Sequence, residues 1–420
     1  MKRIVLALLV CGLWISQGAR AEEPENLQRL VETALSNNPE IKASSARWEM
    51  FRNRIAQAKS FDDPMLMLKI QNGLVKDPLS FRRDPMTQKV IGISQQLPFW
   101  GKRALRSEVA AKEAESYQWQ IEERKLELAR MVKESWYQLW FVEKELDIVD
   151  KNIKILDDFI ALAETKYSVG QGVQQDVLKA QVERSKMLDM RITLEQQRKS
   201  VQAAMNALLY RSGESSFGKI EDFTPRKVSS SVDTLRATAK ENRPLLKSLK
   251  AEIDKGSAGH KLAEKEYYPD FNISLEYMQR DRIDEMEVGD DMYSLGVTFN
   301  LPVQRARRQA MIAESSSEIR MATEELNSQN NTINQGITDL LAQLERRDKL
   351  IALYRTGILP QAEQALESAV ISYRVGKVDF LTLLDSRVTL FNYEREYYDS
   401  LADYEMKRAQ LEALVGRELP

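Results

Sequence analysis

The sequence predicts an α plus transmembrane-β protein: strands that enter a shared barrel, and long helices that continue it as a tube. Three observations lead there. The chain repeats itself at an almost constant offset. Each half holds two strand-length stretches that alternate apolar and polar residues. Each half also holds a very long helix broken by the same tyrosine-x-valine-glycine signal, in KYSVGQGVQQDVL at 166–178 and SYRVGKVDFLTLLD at 372–385.

The duplication comes first because it organises the rest. ALSNNPEIK at 34–42 is echoed by AKENRPLLK at 239–247, Pro64 by Pro269, and GISQQLPFWGKR at 92–103 by GVTFNLPVQRAR at 296–307. Matched prolines and glycines keep one order, with offsets of 204 to 206. Two units follow, 22–213 and 214–420, each running helix, strand pair, long helix, break and return helix. A leader precedes them. Lys2 and Arg3 lead an apolar run from Ile4 to Ile15, and Ala19-Arg20-Ala21 is a small-x-small cleavage site, so 1–21 reads as an export signal. The run is shorter than the ~20 apolar residues that cross a bilayer as a helix. Cleavage removes Lys2, Arg3 and Arg20 and takes the formal charge from −2 to −5. Cys11, the single cysteine, lies in that run behind Val10, a poor site for lipid attachment, and is discarded with it.

Strands are expected at about 64–73 and 88–97, and as a second pair between about 270 and 301. In the third, Phe271, Ile273, Leu275 and Tyr277 share one face and Asn272, Ser274 and Glu276 the other. In the fourth, Tyr293, Leu295, Val297, Phe299 and Leu301 oppose Ser294, Gly296, Thr298 and Asn300. The first pair alternates less cleanly. About ten residues is the length of a tilted membrane strand, and Tyr267, Tyr268, Phe271, Tyr293 and Phe299 stand near the ends, as in an aromatic girdle. A half-buried soluble sheet alternates the same way. If the strands cross a membrane, four cannot close a barrel, so copies must share one.

The helices carry the stronger periodicity. Leu128, Val132, Leu139, Val142, Leu146, Val149, Ile153, Leu156, Ile160, Ala163 and Tyr167 step by fours and threes, with Ser135 filling its slot, which is a coiled-coil seam. A helix over about 103–168 reaches roughly 100 Å. Its counterpart over about 305–374 should bend at Gly357 and Pro360, where its seam shrinks to Ala362, Ala365 and Ala369. Return helices are expected at about 174–211 and 379–415. A glycine between two helices is a hairpin turn, so both breaks fall at the tip of the tube.

Composition excludes several functions. Balanced charge leaves no nucleic-acid footprint. With His260 the single histidine, expected on the surface of the segment linking the units, neither a His-based triad nor a usual zinc site is available. No cofactor motif is present: Gly170-Gln171-Gly172 lacks the Walker lysine. The fifteen methionines read as packing rather than as copper ligands. The acidic loop RDRIDEMEVGDD at 280–291 reads as a solvated rim. The chain is not expected to be an enzyme.

The duplicated pattern, the two Y-x-V-G turns and the LPFWGKR segment resemble the TolC-type outer membrane factors over the whole mature chain. QQLPFWGKRALR at 95–106 is similar to the subgroup serving heavy-metal pumps of the resistance-nodulation-division class. The resemblance implies a homotrimer with a twelve-stranded barrel in outer membrane lipid, a periplasmic helical tunnel, and two partners: a periplasmic adaptor and an inner-membrane pump. It assigns adaptor docking to Val169, Gly170, Val375 and Gly376, and the periplasmic gate to Asp176, Tyr373 and Asp385. Thr382 stands where the family's best-known member has a second pore aspartate, and Val378, beside Lys377, where it has a tip arginine. An aspartate multiplied by symmetry makes a ring that favours cations; an aspartate at a helix start is also simply favourable there. The expected function is a passive exit duct for heavy-metal cations. The alternatives are the same duct for drugs or a secreted polypeptide, and, remotely, an exported coiled-coil scaffold.

Overall fold

The computed structural model describes residues 26–218, 220–283 and 289–419. The leader with Cys11, and residues 284–288 of the acidic loop, lie outside the described residues. The first half of the chain forms α1 (Leu27–Asn37), α2 (Pro39–Lys59), β1 (Met65–Gln71), β2 (Gln88–Leu97), α3 (Lys102–Ser168) and α4 (Gln174–Leu209). The second forms α5 (Val232–Asn242), α6 (Pro244–Lys265), β3 (Phe271–Arg280), β4 (Met292–Phe299), α7 (Arg305–Leu353), α8 (Leu359–Arg374) and α9 (Phe380–Val415). Element types recur in the same order in the two halves.

The four strands make one antiparallel sheet in the order β1-β2-β3-β4. Its rungs show what alternation does once register is set. Leu68, Ile91, Tyr277 and Tyr293 lie in one rung, and Leu66, Ile93, Leu275 and Leu295 in the next outward-facing one. All eight are exposed. Alternating with them are the rungs Met67-Gly92-Glu276-Ser294 and Met65-Ser94-Ser274-Gly296 on the opposite face. β1 looked ambiguous in sequence because methionines occupy two of its inner positions. β1 pairs only with β2 and β4 only with β3, so both outer strands leave a row of backbone groups unpaired.

α3 is 67 residues long, about 100 Å at 1.5 Å per residue. Leu128, Val132, Leu139, Val142, Leu146, Val149, Ile153, Leu156 and Ala163 are buried, as the seam requires, whereas Ile160 is half-buried and Tyr167 exposed. A second stripe, including Trp136, Ile148, Asn152 and Phe159, is buried as well, because α3 is gripped by both α4 and α9. Each large apolar side chain so enclosed contributes about 1.5–3 kcal/mol. Around the middle of the tube, α1 and α5 cover a core that includes Leu30, Trp140, Leu235, Ile337 and Leu411. A second core runs from Val142 towards the tip. No described helix is long and apolar enough to cross a membrane.

The expected bend near Gly357 and Pro360 takes the form of a π turn, Tyr354–Ile358, between α7 and α8. The 305–374 run thus stays helical throughout, with one wider turn in it that accommodates a proline that has no N–H to give. Of its alanines, Ala369 is buried, Ala362 half-buried and Ala365 exposed. His260 also departs from expectation. It sits within α6, half-buried, with Nδ1 3.0 Å from Ser315 Oγ of α7, because the 3.6-residue period turns it to the neighbouring helix.

The two halves start their second helix differently. Asn38 caps α2 by accepting from Glu40 N–H at 2.8 Å, with Pro39 at the first helical position. Arg243 holds the corresponding place before Pro244 and has no acceptor. Glu123 of α3 substitutes, accepting from Leu245 N–H at 3.2 Å while pairing with Arg243.

Sheet and long helices meet at Lys102, which is fully buried. Its Nζ lies 3.0 Å from Asp270 Oδ1, 3.0 Å from Tyr268 O and 3.3 Å from Glu266 Oε2. Asp270 also accepts from Phe99 N–H at 2.8 Å, so one carboxylate holds both sides of the strand-to-helix corner. Breaking a buried pair from one side costs about 3–5 kcal/mol, whereas an exposed cation–π contact contributes about 0.5–1 kcal/mol. Lys102→Met is therefore expected to lower the thermal midpoint of the purified protein clearly, and Arg103→Met, next in sequence, to change it little. Equal shifts would remove the junction from Lys102.

Candidate functional site at the helical tip

Both hairpins end in the same construction. At the first, Gly170 has φ +72° and donates to Tyr167 O at 3.0 Å, and Gln171 N–H donates to Lys166 O at 2.8 Å. At the second, Gly376 has φ +73° and donates to Tyr373 O at 3.1 Å, and Lys377 N–H donates to Ser372 O at 2.8 Å. This is the Schellman closure, whose left-handed residue favours glycine. A Cβ on either glycine would meet nothing within 4 Å, so the demand is conformational, not steric. Ahead of each glycine a valine is pushed into solvent: Val169 is 61% exposed and Val375 64%. Tyr167, Val173, Leu178, Ile371 and Leu381 are exposed around them, an apolar crown on otherwise charged rods.

Behind the crown the two hairpins touch. The ring of Tyr373, in the last turn of α8, packs edge-on against Phe380 of α9 at 5.5 Å, and Lys166 Nζ of α3 stands 5.1 Å from its centroid. The Tyr373 hydroxyl is buried without a hydrogen-bonding partner among the described residues. Burial, then the nearby charge of Asp176, raises its pKa. Asp176 lies half-buried in the first turn of α4. Burial pushes its carboxyl up and Asp379 adds to this, while Lys179 and the Val173 N–H oppose it. Asp379 caps α9, accepting from Thr382 N–H at 2.8 Å and Thr382 Oγ1 at 2.6 Å, and those bonds hold its carboxyl below the usual range.

Asp176 and Tyr373 are thus neighbours, and Asp379 joins them. Asp385 does not: it is exposed on α9, six residues beyond the cap, about 9 Å along the axis. Sequence reasoning passed over Asp379 and Lys166. The Asp-x-x-Thr spacing at a helix start marks Asp379 as a cap, but nothing local marks its nearness to Asp176. Among the described residues no group of three His, Cys, Asp or Glu is placed to hold a metal ion.

A rod-like helical tube under an apolar sheet has clear counterparts among known proteins. The model of a family described as "Outer membrane efflux protein" matches residues 30–210 and again 235–417. The cobalt-zinc-cadmium resistance protein CzcC of Cupriavidus metallidurans is 23% identical over 399 residues, covering 94% of this chain and 91% of its own. The solved structure of CusC superposes with a TM-score of 0.81 at 14% identity, covering 94% of this chain and 92% of that one. VceC of Vibrio cholerae gives 0.78 at 17%, covering 94% and 97%. The family model takes in most of both halves, and the chain belongs to the outer membrane efflux protein family.

Proposed function

We propose that three copies close a twelve-stranded barrel and that the resulting channel is the passive exit duct of a tripartite heavy-metal efflux pump. The observation that carries the reading is the sheet, with an apolar exposed face and two unpaired edges. In lipid each unpaired backbone group costs several kcal/mol, so β1 of one copy has to meet β4 of another. The cargo assignment draws on the likeness to a cobalt-zinc-cadmium resistance protein. LPFWGKR supports it only as a family mark, because in this fold Lys102 and Phe99 hold the corner below the barrel.

Under this reading the apolar crown docks the periplasmic adaptor. Val169→Asp with Val375→Asp should reduce adaptor cross-linking by at least about tenfold, the scale of losing one well-buried apolar contact, while the oligomer stays in the outer membrane. Unchanged cross-linking would remove the crown from the interface. Asp176, Tyr373 and Asp385 would form the gate, with Asp385 facing solvent where three copies could ring the pore. Replacing it by alanine is expected to weaken block of single-channel current by divalent cations, and an unaltered block would sink the ring.

Cargo is tested in the cell. A strain lacking the protein is expected to become sensitive to one or a few of Zn, Co, Cd, Ni, Cu and Ag salts while tolerating lipophilic drugs and detergents normally. Drug sensitivity with ordinary metal tolerance would overturn the metal assignment and leave the duct intact.

A further inference from the structure

We infer that the foot of the barrel carries a collar that binds the anionic phospholipid headgroups of the inner leaflet of the outer membrane. The inference rests on the strands crossing that membrane. The outward side of the sheet ends in the rung Leu97, Phe271 and Phe299. From Phe271 a chain of ring contacts leads off the sheet. Trp100 lies 5.7 Å from it and Phe99 6.5 Å, and Phe99 stacks on Tyr268 at 4.6 Å. Trp100 is 76% exposed. These rings therefore continue the lipid-facing surface to the level where tryptophan and tyrosine settle among headgroups.

Cations follow immediately. Lys265 Nζ stands 5.1 Å from the Tyr268 ring, and the Arg103 guanidinium 3.3 Å from that of Phe61. Rings, not carboxylates, hold both at this level. The nearest acids, Glu266 and Asp270, are taken by buried Lys102. One turn into the helices, Arg106 of α3 and Arg305 and Arg307 of α7 are exposed, and among the described residues none has a carboxylate within ion-pair distance. Asp62 and Asp63, leading into β1, Glu108 of α3 and Glu264 of α6 are exposed acids that oppose them.

Helix physics gives these cations no reason to be there. The first turns of α3 and α7 contain no acid, and neither Gly101 nor Gln304 supplies a side-chain cap. Basic residues at that end work against the helix dipole, so the arrangement is unfavourable unless anions are supplied from outside. A belt of rings with basic residues just beneath it, at the end from which the helices leave for the periplasm, matches a negatively charged leaflet surface.

The test uses the purified oligomer in detergent, titrated with short-chain phosphatidylglycerol or phosphatidylcholine and read by native mass spectrometry and thermal midpoint. The wild type is expected to prefer phosphatidylglycerol by at least tenfold, the preference falling about fivefold per cation removed in Arg106→Gln, Arg305→Gln and Arg307→Gln, and falling with salt. Arg103→Gln with Lys265→Gln tests the ring-held pair separately. Equal affinity for the two lipids overturns the collar, as does a preference that survives all five substitutions. Inorganic phosphate competing at equal concentration would reassign the site to a free anion. Variants that no longer assemble would reassign the cations to contacts between copies. A wild-type chain that purifies as a soluble monomer would instead fail the barrel reading itself.

Discussion

The constraint on which everything else rests is that a strand edge in lipid must find a backbone partner. Four strands per chain, with an exposed apolar outer face, leave β1 and β4 unpaired. The edges of a soluble sheet are blunted by charge, proline or a covering helix; here the outward positions of both edge strands are Leu66, Leu68, Ile70, Tyr293, Leu295 and Val297. An incomplete barrel fixes the rest. Under the proposed assembly, helices that continue it have to leave at set angles, and their inner faces have to serve a lumen shared between copies.

The corner where strand becomes helix is the mechanical consequence. Lys102 is buried among Asp270, Glu266 and the Tyr268 carbonyl, and Asp270 simultaneously receives the Phe99 N–H. A buried ion pair is not in itself strongly stabilising; what it supplies here is direction, tying the start of α3 to the end of α6. The same economy governs Glu123, which caps a helix in the other half of the chain while neutralising Arg243. Among the described residues charged side chains join elements far apart in sequence as well as neighbouring turns of one helix.

At the opposite end the chemistry is softer. Two glycine closures of the same geometry expose two valines. Behind them burial disfavours charge on the Tyr373 hydroxyl and on Asp176, while exposed Asp379 keeps its charge through the cap bonds from Thr382.

The sequence by itself determined whatever is encoded in near neighbours. Periods of two and of 3.6 gave the strands and the long helices, Y-x-V-G gave the tip turns, and the constant offset predicted the order of elements. It also drew the outer face of the sheet, because a period of two survives whatever the strand packs against. Only the tertiary structure decided which charges meet. Lys102 and Asp270, Glu123 and Arg243, Asp176 and Asp379 are each separated by more than a hundred residues, and no period links them. It likewise decided that α3 is buried on two stripes, since a single helix cannot announce how many neighbours will grip it. The proline at 360 predicted a disturbance, and the structure gives that disturbance its form, a π turn over Tyr354–Ile358.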